Sequence, residues 1–152
     1  ALSVSQCLCN IREGYMKKTV LIIEDNEQNL YLTTFLLERA GFNVISAMNG
    51  PEGISMAVKF RPDLILLDIQ LPQVDGYTVA RELRKNVSLN EVPIIAVTSY
   101  AMTGDRERAL KAGCTGYIEK PINPNTFISQ VTEYLTKRLM KPEETNDDHS
   151  DC

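Results

Sequence analysis

The 152 residues are 43% hydrophobic and 24% charged, a mix that suits one ordinary globular domain and excludes a chain too polar to bury a core. No run of about twenty apolar residues occurs, so no membrane insertion is expected. The formal charge of −4 sits entirely in the last twelve residues, where one lysine faces five carboxylates; the neutral remainder carries no basic stripe, and direct binding to nucleic acid is not expected.

Residues 1–16 lack periodic order, and Met16-Lys17-Lys18 resembles a natural start of translation, so a leader outside the domain is expected there. The domain itself should span 17–140, with an acidic, disordered tail over 141–152. The first strand, Thr19 to Ile23, leads into a helix from Glu27 to Ala40, with Asn26 as its N-cap and Gly41 just past its end. Leu30, Thr33, Thr34, Leu37 and Ala40 give that helix one face for a sheet. A second strand, Asn43 to Ala47, precedes a helix from Pro51 to Phe60, with proline in its first turn. The third strand, Asp63 to Leu67, is followed after Asp75-Gly76 by a helix carrying Val79, Leu83 and Val87 at i, i+4 and i+8. A fourth strand, Pro93 to Thr98, and a helix from Asp105 to Ala112 closed by Gly113 come next. The fifth strand is Gly116 to Ile118, and the last helix opens at Asn123-Pro124 and runs to Met140 through Phe127, Ile128, Val131, Tyr134 and Leu135. Several strands are near-continuous Val, Ile and Leu, as strands covered on both faces should be. Five such alternations predict a doubly wound (βα)5 fold of the flavodoxin type, a three-layer sandwich with parallel strand order 2-1-3-4-5.

The cysteines do not redirect this reading. Cys7 and Cys9 stand close together, but tetrahedral zinc needs about four ligands and the single histidine, His149, lies in the polar tail. Cys114, in a turn between apolar segments, reads as a small buried residue, and free thiols suit a cytoplasmic location.

Doubly wound sheets place ligands beyond the carboxyl ends of their strands. There the sequence puts Glu24 and Asp25 after the first strand, Asp68 after the third, Thr98-Ser99 at the end of the fourth, and Lys120-Pro121 after the fifth. Any one of these residues is commonplace in a loop; five on one rim are not. Like charges held together need a compensating cation, and a ligand set made only of oxygens suits Mg2+. A phosphoryl group could then be held against the carboxylates, with Lys120 and Thr98 serving its oxygens and an aspartate as nucleophile.

The segments VLIIEDN, DLILLDIQLPQVDGY, PIIAVTS and GYIEKPI, in this order, resemble the signature regions of response-regulator receiver domains, the CheY-like superfamily, over residues 18–139. Among subgroups the chain is most similar to stand-alone, DivK-like receivers. The resemblance implies Asp68 as phosphoacceptor and a Mg2+ site made of Asp25, Asp68 and the backbone carbonyl of Gln70, with Glu24 acting through a bound water. It implies that Lys120 pairs with the phosphoryl group, that Thr98 moves to hydrogen-bond it, and that Tyr117 is the aromatic switch that turns inward with Thr98. It implies a cis bond between Lys120 and Pro121, and tuning of phosphoryl loss by Gln70 and Tyr100. The Asp75-Gly76 turn would follow the phosphorylation loop, glycine supplying backbone freedom.

The implied function is two-component signalling: a phosphoacceptor rather than an enzyme, charged by a histidine kinase or phosphotransfer protein, and read by a downstream protein at a face of the fourth helix, fifth strand and fifth helix. A receiver portion of a hybrid histidine kinase is the alternative, and the apparent start at Met16 favours the stand-alone form. A haloacid-dehalogenase-like phosphatase would need a second acid two residues after the nucleophile, where Gln70 stands. A flavin carrier would need a Ser/Thr/Gly-rich phosphate loop where Glu24-Asp25-Asn26 presents negative charge, and a docking module that is never phosphorylated would not need the acidic set.

Overall fold

The computed structural model describes residues 18–99 and 103–136. The expected leader and tail, Tyr100, Cys7, Cys9, Cys152 and His149 lie outside them. The elements in chain order are β1 (Thr19–Ile23), α1 (Glu27–Arg39), β2 (Asn43–Ala47), α2 (Gly50–Phe60), β3 (Leu64–Asp68), α3 (Gly76–Arg84), a single 3-10 turn (Val87–Leu89), β4 (Ile94–Thr98), α4 (Thr103–Ala112) and β5 (Gly116–Glu119). A last helix, α5, covers 127–136. The strands form one parallel sheet in the order β2-β1-β3-β4-β5, as expected.

Alternation along the central strands divides the core in two. Leu21, Ile23, Ile65, Leu67, Ile94 and Ala96 face one way and pack with side chains of α2, α3 and α4, among them Ala57, Val79, Leu83 and Ala109. Val20, Ile22, Leu64, Leu66, Ile95 and Val97 face the other way, against Leu37 of α1 and Phe127, Val131 and Leu135 of α5. Both faces of β3 and β4 are therefore dry, which is why their sequences are apolar up to the last residue of each, Asp68 and Thr98.

Helix starts follow the expected chemistry. The side chains of Asn26, Asn49 and Asp75 accept from the backbone N–H three residues on and cap α1, α2 and α3. Gly41, past the end of α1, has φ +98°, the left-handed region that glycine enters without strain.

Four expectations need correction. Val87 does not continue the α3 stripe: the helix ends at Arg84, Asn86 caps a 3-10 turn through Ser88 N–H, and Val87 is 84% exposed. Ala40 is likewise exposed, and the fully covered α1 residues are Thr33 and Leu37. The third strand begins at Leu64, so Asp68 is its last residue; Asp63 instead accepts the Thr19 N–H at 2.8 Å across the start of the sheet. The fifth helix is regular only from 127, because Asn123 first organises a tighter turn, its carbonyl accepting from Thr126 and Phe127 N–H and its side chain from Asn125 N–H.

Candidate functional site

The carboxyl ends of β1, β3, β4 and β5 meet at one rim. Asp68 closes β3, and its partner in the neighbouring strand is Val97, one residue before Thr98. Glu24 follows β1 and is tied there by its N–H to the Ala47 carbonyl. Lys120 follows β5, its N–H bound to the Thr98 carbonyl at 2.8 Å. Parallel pairing thus fixes four functional side chains by backbone bonds before any of them touches another.

The side chains then converge. Glu24, Asp68 and Thr98 are all buried, at 5%, 3% and 5% exposure. The Lys120 ammonium lies 3.4 Å from Glu24 Oε1 and 3.3 Å from Asp68 Oδ1, bridging the two carboxylates. Glu24, Asp25 and Asp68 each offer an oxygen such that all three lie within 4.8 Å of one another. Backbone N–H groups finish the arrangement: Asn26 donates to Glu24 Oε2 at 3.2 Å and Gln70 to Asp68 Oδ1 at 3.0 Å. The peptide bond between Lys120 and Pro121 is cis.

One lysine does not neutralise three carboxylates. Burial, a hydrogen bond with Asp68 and the like charge of Asp68 push the Glu24 carboxyl up to about 7, against the opposing pull of Lys120 and the Asn26 N–H. A cluster of oxygen donors with surplus negative charge, open to solvent at the exposed Asp25, fits a hard divalent cation such as Mg2+.

Residues 20–132 match the family model for the response regulator receiver domain. The chain belongs to that family. Receiver domains work in two-component signalling, and similar proteins are found by sequence and by structure. The chain is 47% identical over 120 residues to the polar-differentiation response regulator DivK of Brucella anthropi, spanning 79% of this chain and 98% of that protein. A CheY-like response regulator receiver domain protein from Methanospirillum hungatei superposes with TM-score 0.77 at 29% identity, over 83% of this chain and 99% of that one. The receiver domain of a sensor histidine kinase from Pseudomonas aeruginosa, solved with a magnesium ion coordinated in its active-site cleft, gives TM-score 0.74 at 33% identity over 80% and 99% of the two chains.

Gln70 and Tyr117 are the remaining expected receiver residues among those described. Gln70 is exposed beside Asp68. Tyr117 is half-buried on β5, directly opposite Ala96. Gly76 does not supply left-handed backbone; in the loop after Asp68 it is Gln73 that has positive φ, at 68°. Gly76 is instead needed for close approach, since a Cβ there would meet the Asp68 carbonyl oxygen at 2.7 Å, while its N–H donates to Ile69 O. Two contacts had no sequence signal: the Asn26 N–H on Glu24, and the guanidinium of Arg106 stacked over Tyr117 at 5.3 Å from the ring centroid. Among the described residues, no helix is long and apolar enough to cross a membrane.

Proposed function

We propose that Asp68 is the phosphoacceptor of this receiver, and that a histidine kinase or phosphotransfer protein supplies the phosphoryl group as phosphohistidine. The observation that carries this reading is the single ammonium of Lys120 set between the buried carboxylates of Glu24 and Asp68. A carboxylate oxygen of Asp68 attacks phosphorus, the N–P bond breaks, and the imidazole leaves with its electron pair, so the carboxylate becomes an acyl phosphate. Lys120 transfers its pairing from the Asp68 carboxylate to the phosphoryl oxygens, and the Thr98 hydroxyl turns to donate to them.

Asp25, Asp68 and the backbone carbonyl of Gln70 would hold Mg2+, with Glu24 acting through a water; the bound ion supplies positive charge against the carboxylates and the phosphoryl oxygens. Gln70 and Tyr100, flanking the site in sequence, tune the lifetime of the acyl phosphate. Tyr117 follows Thr98 inward and shifts the population of a face made of α4, β5 and α5, where a downstream protein reads the change. The protein acts as a phosphoacceptor that assists its own phosphorylation and dephosphorylation, in a cytoplasmic setting, either as a stand-alone regulator or as the receiver of a hybrid kinase.

Intact-mass measurement after incubation with acetyl phosphate and Mg2+ tests the reading. The wild type should gain one phosphoryl group and Asp68→Asn none. Equal labelling of both would assign the acceptor elsewhere.

A further inference from the structure

Helix α4 has little apolar surface to hold it. Of its described side chains, Ala109 and Ala112 are buried, while Leu110 is 48% exposed. Two guanidiniums reach from it to aromatic rings on either side: Arg108 lies over Tyr77 of α3 at 4.5 Å from the centroid, and Arg106 over Tyr117 of β5 at 5.3 Å. Both distances are within the reach of a cation–π interaction.

The two rings differ in freedom. Tyr77 is 7% exposed and belongs to the apolar core, whereas Tyr117 is half-buried and only leans on that core. In the strand register Tyr117 faces Ala96, and Thr98 lies two residues along the same face of β4. A ring leaving Arg106 for Thr98 therefore passes a methyl group rather than a branched side chain. Its present position is marked by the guanidinium.

We infer that Arg106 is a positioning residue that holds the Tyr117 ring on the α4 side of the unphosphorylated protein and so sets the resting balance of the switch. The inference rests on the reading above in which Tyr117 turns inward. A cation–π contact at a solvent-exposed site corresponds to roughly a two- to fivefold change in an equilibrium. Removing Arg106 should raise the inward population by that factor, and phosphorylation should become more favourable by the same factor, because the two events are linked.

The full chain has no tryptophan and six tyrosines, so incorporation of 3-fluorotyrosine gives a short 19F spectrum in which Tyr117→Phe identifies the Tyr117 resonance. Acetyl phosphate with Mg2+ defines the inward end point in the wild type. Unphosphorylated Arg106→Ala should move the resonance towards that end point by a two- to fivefold population gain, and Arg106→Lys, which keeps the cation, should largely restore it. Arg108→Ala removes the other stacked guanidinium of α4 and should leave the Tyr117 resonance in place. A resonance unchanged in Arg106→Ala overturns the inference, as does an equal movement in Arg108→Ala, which would mean general loosening of the helix. A wild-type resonance that ignores phosphorylation confirmed by mass would overturn the switch reading itself, and the inference with it.

Discussion

The two ends of the sheet both bury charge, and they treat it in opposite ways. At the amino-terminal end Arg84, the last residue of α3, is half-buried and fully engaged: Nε donates to Gly113 O, one terminal nitrogen to Leu89, Asn90 and Val92 carbonyls, and the other to Thr115 Oγ1. Thr115 Oγ1 also accepts the Ile94 N–H at 3.1 Å, so the guanidinium joins the end of α3, the 3-10 turn, the start of β4 and the turn before β5. Burial lowers its pKa without discharging a guanidinium. At the carboxyl end one ammonium serves two buried carboxylates, a third lies near, and one carboxyl is displaced to about 7. A charge whose hydrogen bonds are complete is architecture; a crowd of like charges left short of partners is a site waiting for a ligand.

The largest effect expected from this contrast is on stability at the amino-terminal end. Arg84→Ala would take the guanidinium from the part-buried carbonyls of Gly113 and Val92 and leave Leu89 O with the Val92 N–H alone, at a cost of about 3 kcal/mol. Urea denaturation would read the loss, and Arg84→Lys should recover little of it, since a point charge cannot span the same fork of acceptors. The folded fraction should still label with acetyl phosphate. A stable but unreactive variant would break the contrast, because it would make Arg84 part of the reacting end.

The two ends are unequally legible in the sequence. The carboxyl rim was legible because strand ends, caps and polar residues recur in a fixed order: the bounds of β1 and β2 were as expected, and Glu24, Asp25, Asp68, Thr98 and Lys120 do gather at one rim. Arg84 was not legible, since an arginine on an amphipathic helix carries no mark that separates a solvated face from a staple. The same blindness produced the error at Val87. Its spacing continues the Val79–Leu83 stripe, but Arg84 draws the following carbonyls inwards and turns the chain. Neither the raised pKa of Glu24 nor the Arg106–Tyr117 stack has a sequence pattern, because both arise from distances across elements.

The second expected effect is on cation affinity at the rim. A Glu24 carboxyl lifted to about 7 must lose its proton before the full negative charge is available, so Mg2+ binding should weaken by about tenfold per pH unit below that value and level off above it. The sign for stability runs the other way in metal-free protein. A carboxyl raised above its ordinary value contributes fully below that ordinary value, and the contribution is lost as the pH rises through about 7. Calorimetric titration with Mg2+ across this range should show release of about one proton per ion on the acid side. Glu24→Gln should flatten the profile, and an unaltered slope in that variant would assign the titration elsewhere.

The smallest effect has the most informative sign. Asp68→Asn removes one of the crowded charges while keeping an oxygen that can accept the Gln70 N–H, now at 3.0 Å from Oδ1. In the absence of divalent cation the variant should therefore be more stable than the wild type, by about 1 kcal/mol, although it lacks the proposed phosphoacceptor. Saturating Mg2+ should narrow or reverse the difference, because a ligand that binds the folded wild type stabilises it by mass action and the variant lacks one carboxylate for it. No truncation of the Arg84 staple should ever stabilise. Should Asp68→Asn lower the urea midpoint in metal-free buffer, the carboxylate would be holding the rim together as Arg84 holds the opposite end, and the distinction between a satisfied charge and a poised one would fail.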